Sequence, residues 1–202
     1  MTTITMADQE RRQNVTVLFI DIVGFTALVD RLDCAEVRAL QRDYFSTVSG
    51  VVRDCGGIVE KYVGDAVMAV FGAGADDFGP EAAAAAVQAG LSVQEALRGR
   101  LLAGRFPIRT RVGLATGEVI VDTLAAFDGG YGMISGSVVS TAARLQAYAP
   151  HDTVVVCSAT REVTDELIAY QELPPVSVPG KSYPLDLWRA LQPQAAPLAA
   201  VA

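Results

Sequence analysis

The most constraining stretch of the chain is Val15 to Ile22, an apolar, β-rich run with a carboxylate, Asp21, near its end. Such a run predicts a strand, and Gly24 stops it. Asp21 follows Val17-Leu18-Phe19-Ile20, which places it at a strand end close to the interior of a sheet. A carboxylate there is costly unless it is paired or bound to a metal. Any fold for this chain must therefore supply Asp21 with partners.

Beyond Gly24, the apolar residues Val37, Leu40, Tyr44, Val48 and Val51 recur at helical spacing, predicting one helix from about Thr26 to Asp54. Gly56-Gly57 breaks it. Ile58–Tyr62 and Ala66–Phe71 then flank Val63-Gly64-Asp65 as two strands of a hairpin. Pro80 opens an alanine-rich helix expected to reach Ala103. Strands are expected over Ile108–Ala115 and Glu118–Val121, a helix over Gly136–Tyr148, and a strand over Thr153–Cys157. Ser158 is placed to cap a short helix, and two late strands are expected near 170–178 and 183–190. Strands mixed with helices, hairpins and crossovers give an α/β (α+β) class, a mixed sheet covered by helices.

The 202 residues, 51% of them hydrophobic, fill one core and are too few for two ordinary domains. One domain over 14–191 is expected, with a frayed or weakly helical lead-in at 1–13 and an alanine- and proline-rich linker or tail at 192–202. No internal repeat is present. A net charge of -7 offers no basic footprint for nucleic acid. It leaves room for a nucleotide, whose phosphates a few local cations can neutralise. Cys34, Cys55 and Cys157 form no CxxC pair, so neither zinc nor a disulfide framework is indicated. Cys157, ending an apolar run, reads as a buried structural thiol. The polar N-terminus resembles no signal peptide and no run is long enough for a membrane span, so a cytoplasmic location is expected.

Asp65 alone reads as a turn aspartate, and Asp21 alone as either a cap or a ligand. Together they can hold hard cations such as Mg²⁺, which prefer oxygen ligands and retain several waters. Ile22-Val23-Gly24-Phe25-Thr26 is a glycine turn entering a helix; it suits a phosphate, or is simply a strand-to-helix turn. His151, the only histidine, follows Pro150 in a loop and reads as a surface residue.

Five segments in order carry a resemblance to the class III adenylate and guanylate cyclases. Val17–Thr26 resembles the first metal-binding motif, and Gly56–Phe71 the second. Arg111–Gly117 resembles the strand that follows, Ala142-Ala143-Arg144-Leu145 the end of the catalytic helix, and Val176–Lys181 the closing segment. The resemblance spans about residues 13 to 190. It implies the ferredoxin-like cyclase fold and a homodimer, each catalytic centre lying between two subunits. Asp21, Asp65 and the Ile22 carbonyl would hold two divalent ions, Mg²⁺ or Mn²⁺. Gly24, Phe25 and Thr26 would cradle phosphates, and Arg144 would stabilise charge on the α-phosphoryl group. Lys61, four residues before Asp65, would favour adenine, making ATP the expected substrate and cyclic AMP the product.

The chain also departs from the family pattern. Met133 stands where the partner of Lys61 is usually Asp or Thr, and Ser140 where an asparagine usually meets the ribose. Ser137 replaces an aspartate, and Pro179 a basic residue for the γ-phosphate that Lys181 would have to replace. Three readings stay open: an active ATP cyclase, a degenerate domain binding nucleotide or a partner, and a cyclase for GTP or a pyrimidine nucleotide. The tail also fits a piece of a larger regulatory protein.

Overall fold

A computed structural model of the chain describes residues 10–73, 78–122, 134–177 and 184–191. The elements follow the order β1 (Glu10–Ile22), α1 (Phe25–Val29), α2 (Cys34–Asp54), β2 (Ile58–Val63), β3 (Ala66–Phe71) and α3 (Pro80–Leu97). Then come β4 (Leu101–Leu102), β5 (Phe106–Pro107), β6 (Thr110–Asp122), β7 (Ile134–Ser135) and α4 (Ser137–Tyr148). The chain continues with β8 (Thr153–Val156), α5 (Ser158–Thr164), β9 (Tyr170–Val176) and β10 (Leu185–Ala190).

The main sheet runs β2-β3-β1-β6-β8-β10-β9, with β7 also pairing β6. Its ladders are antiparallel except β6–β8, which the α4 crossover makes parallel. Within it, β1-α2-β2-β3-α3-β6 makes the split βαβ arrangement of ferredoxin-like folds. The expected mixed, helix-covered sheet is what the chain forms.

The period of two along β1 divides the core. Leu18, Ile20 and Ile22 face α2 and α3, packing with Leu40, Tyr44, Val48, Ala86 and Val93. Val15 and Val17 face α4, packing with Val138, Ala142 and Leu145. Asp21, two positions on from Phe19, takes the α4 side. On that side α4 lies almost in contact with the β6 backbone. A Cβ at Gly113 would fall 2.1 Å from the Gln146 nitrogen and 2.6 Å from the Ala142 oxygen. Glycine there is a packing requirement.

Several boundaries differ from the sequence expectation, each for a local reason. The polar lead-in from Glu10 is strand rather than frayed coil, because β6 runs on to pair it and Glu118 meets Arg12 at 3.0 Å. The predicted 26–54 helix is two helices. Asp33 begins the second with a capping box: its side chain accepts from the Glu36 amide at 2.8 Å, and Glu36 accepts from the Asp33 amide at 3.2 Å. The α3 helix stops at Leu97, and Gly99 and Gly104, with φ of +67° and +68°, shape the β4–β5 hairpin that follows. Asp43 pins that hairpin by accepting from the Ala103 amide at 2.8 Å. Thr116-Gly117 does not split β6, which pairs with β1 straight through. Cys157, half-buried rather than buried, caps α5 in place of Ser158, its sulfur accepting from the Thr160 amide at 3.5 Å.

The contact at Gly113 predicts that Gly113→Ala lowers unfolding free energy by about 2–3 kcal/mol, measured by urea denaturation. Gly50, inside α2 with open space at its Cβ position, is the contrast. There Gly50→Ala should gain about 0.5–1 kcal/mol.

Candidate functional site

Strand register builds the site. In the antiparallel β1–β3 ladder Ile20 faces Val67, so Asp65, two residues earlier in the β2–β3 turn, comes level with Ile22. The Ile22 amide donates to Asp65 Oδ2 at 3.0 Å. In the β1–β6 ladder Asp21 faces Arg111. Arg111 Nη2 donates to Asp21 Oδ2 at 3.0 Å, and Nη1 to the Ala147 carbonyl at 3.0 Å. Gln146 Nε2, from α4, donates to the same Asp21 oxygen at 3.0 Å. The partners that Asp21 required are thus an arginine across the ladder and an amide from the overlying helix.

Asp65 is brought next to Asp21, since the residue after Asp21 donates its amide to the Asp65 carboxylate. Partial burial, then the hydrogen bond to Asp21 and its charge, push the Asp65 carboxyl from the ordinary 3.8 up to about 7. A carboxyl whose charged form is disfavoured in this way marks a site for positive charge. Among the described residues no cluster of three or more His, Cys, Asp or Glu could hold a metal. Two carboxylates and a neighbouring carbonyl, that of Ile22, suit an ion such as Mg²⁺, which retains waters and takes phosphate oxygens as further ligands.

Beyond Asp21 the chain turns at Gly24, with φ of +71°, into α1. The amides of Phe25 and Thr26 belong to its first turn, before the intrahelical bond from the Leu28 amide to the Gly24 carbonyl. The turn is anchored by the Val23 amide on the Arg109 carbonyl at 2.8 Å. Lys61 lies on β2 at a register shift between Val59 and Lys61. That bulge lets two consecutive side chains meet: the Lys61 ammonium lies 3.2 Å from Glu60, whose carboxylate is fully buried. On α4, Ser140 and Arg144 are one turn apart. Ser140 donates to the Ser137 carbonyl at 2.9 Å, and Arg144 is half-buried. Met133, Pro179 and Lys181 lie outside the described residues. His151 is exposed in a turn, as expected.

Four site residues escaped the sequence reading. Arg111 was visible only as part of a strand motif, although its register opposite Asp21 could have marked it. Tyr44 was read as an apolar helix position. Its hydroxyl is buried without a hydrogen-bond partner, and burial together with the charges of Asp21 and Asp65 pushes the phenol well above its ordinary range. Glu60 gave no signal, since alternation cannot foresee a bulge. Gln146 gave none either, since its role depends on the depth at which α4 sits.

The raised Asp65 carboxyl has a consequence for stability. Its proton is held more tightly in the folded chain than in the unfolded one, so the contribution is full below about pH 4 and is lost as pH rises to about 7. Without metal, Asp65→Asn should remove this decline and melt higher than the parent at pH 8. Mn²⁺ should raise the melting temperature of the parent and leave that of Asp65→Asn unchanged. Thermal melts in EDTA and in Mn²⁺ across pH 4–8 check both; parallel profiles for the two proteins would exclude the repulsion.

A profile of the family described as "Adenylate and Guanylate cyclase catalytic domain" matches residues 7–188. An uncharacterized protein of Mycobacterium tuberculosis is 35% identical over 133 residues, 66% of this chain and 22% of that protein. Adenylate cyclase 1 of Rhizobium meliloti is 28% identical over 186 residues, 89% of this chain and 28% of that one. The chain therefore spans about a quarter of the length of these curated relatives. Among solved structures it is similar to the adenylyl cyclase CyaB from P. aeruginosa, with a TM-score of 0.79, 26% identity, and 90% and 95% of the two chains covered. The guanylate cyclase domain of RhGC from Catenaria anguillulae in complex with GTP shares the fold at a TM-score of 0.77 and 21% identity, over 90% and 98% of the chains. With the profile covering nearly the whole sequence, and with Asp21 near the end of β1 and Asp65 in the β2–β3 turn, the chain belongs to the class III adenylate and guanylate cyclase catalytic domain family.

Proposed function

We propose that the chain is a nucleotide cyclase that converts a nucleoside triphosphate, ATP by preference, into the 3′,5′-cyclic nucleotide and pyrophosphate at a homodimer interface. The observation that carries this reading is the convergence of Asp21 and Asp65, a like-charge pair maintained by strand register beside the turn into α1. Two divalent ions, Mg²⁺ or Mn²⁺, when bound, supply neutralisation of the triphosphate and a lowered pKa for the ribose 3′-hydroxyl.

The chain's own residues do the rest. Asp21, Asp65 and the Ile22 carbonyl would hold the ions, and Arg111 and Gln146 fix the Asp21 carboxylate. The first-turn amides at Phe25 and Thr26, after Gly24, cradle phosphate oxygens. The 3′-oxygen bonds to the α-phosphorus as the bond to the β-phosphate oxygen breaks, and the hydroxyl proton leaves to water. Arg144 of the second subunit steadies the charge that grows on the α-phosphoryl oxygens, for which a permanently charged, forked guanidinium is suited. The Arg144 side chain makes no hydrogen bond or ion pair with another described residue, consistent with service to a partner. Lys61 supports adenine as the base, and Lys181 is the candidate for the γ-phosphate. The similarity to two adenylate cyclases at 26% and 28% identity points the same way.

One observation favours slow turnover as a second reading. Ser140, standing where the family's asparagine meets the ribose, spends its hydroxyl on the Ser137 carbonyl of its own helix. Met133, at the sequence position where the family usually carries the Asp or Thr partner of Lys61, likewise leaves GTP or a pyrimidine nucleotide as alternative substrates.

Product analysis with ATP, GTP, CTP and UTP, each in Mg²⁺ and then Mn²⁺, should yield cyclic AMP from ATP. No cyclic product at any protein concentration would leave a nucleotide- or partner-binding domain. Asp21→Ala should abolish turnover and Arg144→Ala should cut it roughly 10²–10³-fold. An equal mixture of those two inactive variants should recover about one quarter of the wild-type rate. Half of the dimers are then mixed, and each has one intact centre of two. Ser140→Asn should raise the rate if the lost contact limits it; an unchanged or lower rate would exclude that.

A further inference from the structure

We propose that Gln146 is a positioning residue for Asp21 of its own subunit, so that α4 serves two catalytic centres at once: its own through Gln146 and its partner's through Arg144. The proposal rests on the dimeric cyclase reading above.

Both hydrogen-bond donors on Asp21 converge on one oxygen. Arg111 Nη2 and Gln146 Nε2 each reach Oδ2 at 3.0 Å. With two N–H donors on Oδ2, the carboxylate is held in one orientation, and Oδ1, which neither donor uses, is the oxygen a cation would take. Gln146 is 8% exposed, so its amide is committed to this contact rather than to solvent. Outer-shell donors of this kind set ligand orientation, and their loss weakens metal binding.

The reach of Gln146 depends on the unusually close seat of α4. Only Gly113 beneath it allows the Ala142 and Gln146 backbone to approach β6 this closely. Arg111 ties the same helix turn a second time, through Nη1 on the Ala147 carbonyl. Gln146 and Arg144 are two residues apart, about 200° around the helix. They therefore point to opposite sides of α4, Gln146 onto the sheet and Arg144 away from it. A single rigid helix thereby relates the position of one subunit's metal ligand to the position of the other subunit's arginine.

The test places Gln146→Met, which keeps length and removes the donors, in mixed dimers with a single intact centre. That centre takes Asp21 from the Arg144→Ala chain and Arg144 from the Asp21→Ala chain. Gln146→Met on the chain supplying Asp21 should raise the Mn²⁺ concentration for half-maximal turnover about 10-fold. On the chain supplying Arg144 it should leave that concentration unchanged. An equal effect from both placements would mean a general packing role and overturn the proposal, as would no effect from either.

A second readout needs no turnover. Electron paramagnetic resonance of free Mn²⁺, with 3′-deoxy-ATP (which lacks the attacking hydroxyl) as ligand, should show about 10-fold weaker Mn²⁺ binding by the Gln146→Met homodimer. Arg144→Ala should bind as wild type does. Gln146→Ala, which only removes atoms, repeats the measurement should methionine disturb the packing. Wild-type affinity in either Gln146 variant would overturn the proposal. Silence of the mixed dimer without any Gln146 change would instead overturn the shared-centre reading. Failure of the wild type to bind Mn²⁺ would overturn the metal reading and this proposal with it.

Discussion

Two carboxylates held together against their own repulsion are the constraint around which the rest of this structure is arranged. Asp21 cannot move away, because β1 is paired on both sides by β3 and β6. Asp65 cannot either, because its turn is short and its side chain accepts from the Ile22 amide. The repulsion is met by Arg111 on one side and, when a cation binds, by that cation on the other. The folded chain therefore carries an unfavourable electrostatic arrangement, which a bound cation would relieve. Backbone pairing across the centre of the sheet provides the rigidity that makes this arrangement tolerable.

Much of this was legible in the sequence. The run ending at Asp21 placed that carboxylate at a strand end and Val63-Gly64-Asp65 placed the other in a hairpin turn, because local pattern and final pairing agree there. The fold class followed from the interleaving of strands and helices. The residues that escaped detection are those whose role depends on distance in three dimensions. Gln146 is 125 positions from Asp21 along the chain, and no local pattern marks it. Tyr44 satisfies a helical apolar period equally well whether its ring or its hydroxyl matters. Glu60 is carried to the interior by a bulge that simple alternation assigns to neither face.

The boundary errors have a different origin. Asp33-x-x-Glu36 is a capping box that the sequence displays, but the apolar spacing on either side of it is continuous enough to suggest one helix. Thr116-Gly117 reads as a break, yet β1 continues opposite it and imposes pairing. The polar residues from Glu10 to Asn14 lack a strand's alternation and are strand because the far half of β6 would otherwise lie unpaired along its edge. In each case the neighbouring element decided what the local propensity left undecided.

The division of labour between sheet and helix follows from these constraints. Strands fix what must not move, namely the two carboxylates and the arginine opposite them. The α4 helix carries what must face elsewhere, since a helix presents side chains on opposite sides within two residues while a strand needs its whole sheet to do so. Gly113 is the position at which the two systems meet. A larger residue there would lift α4 from β6, withdraw Gln146 from Asp21 and shift Arg144 together with it. The missing side chain of one glycine is thus what allows a rigid sheet and a rigid helix to share a single carboxylate oxygen.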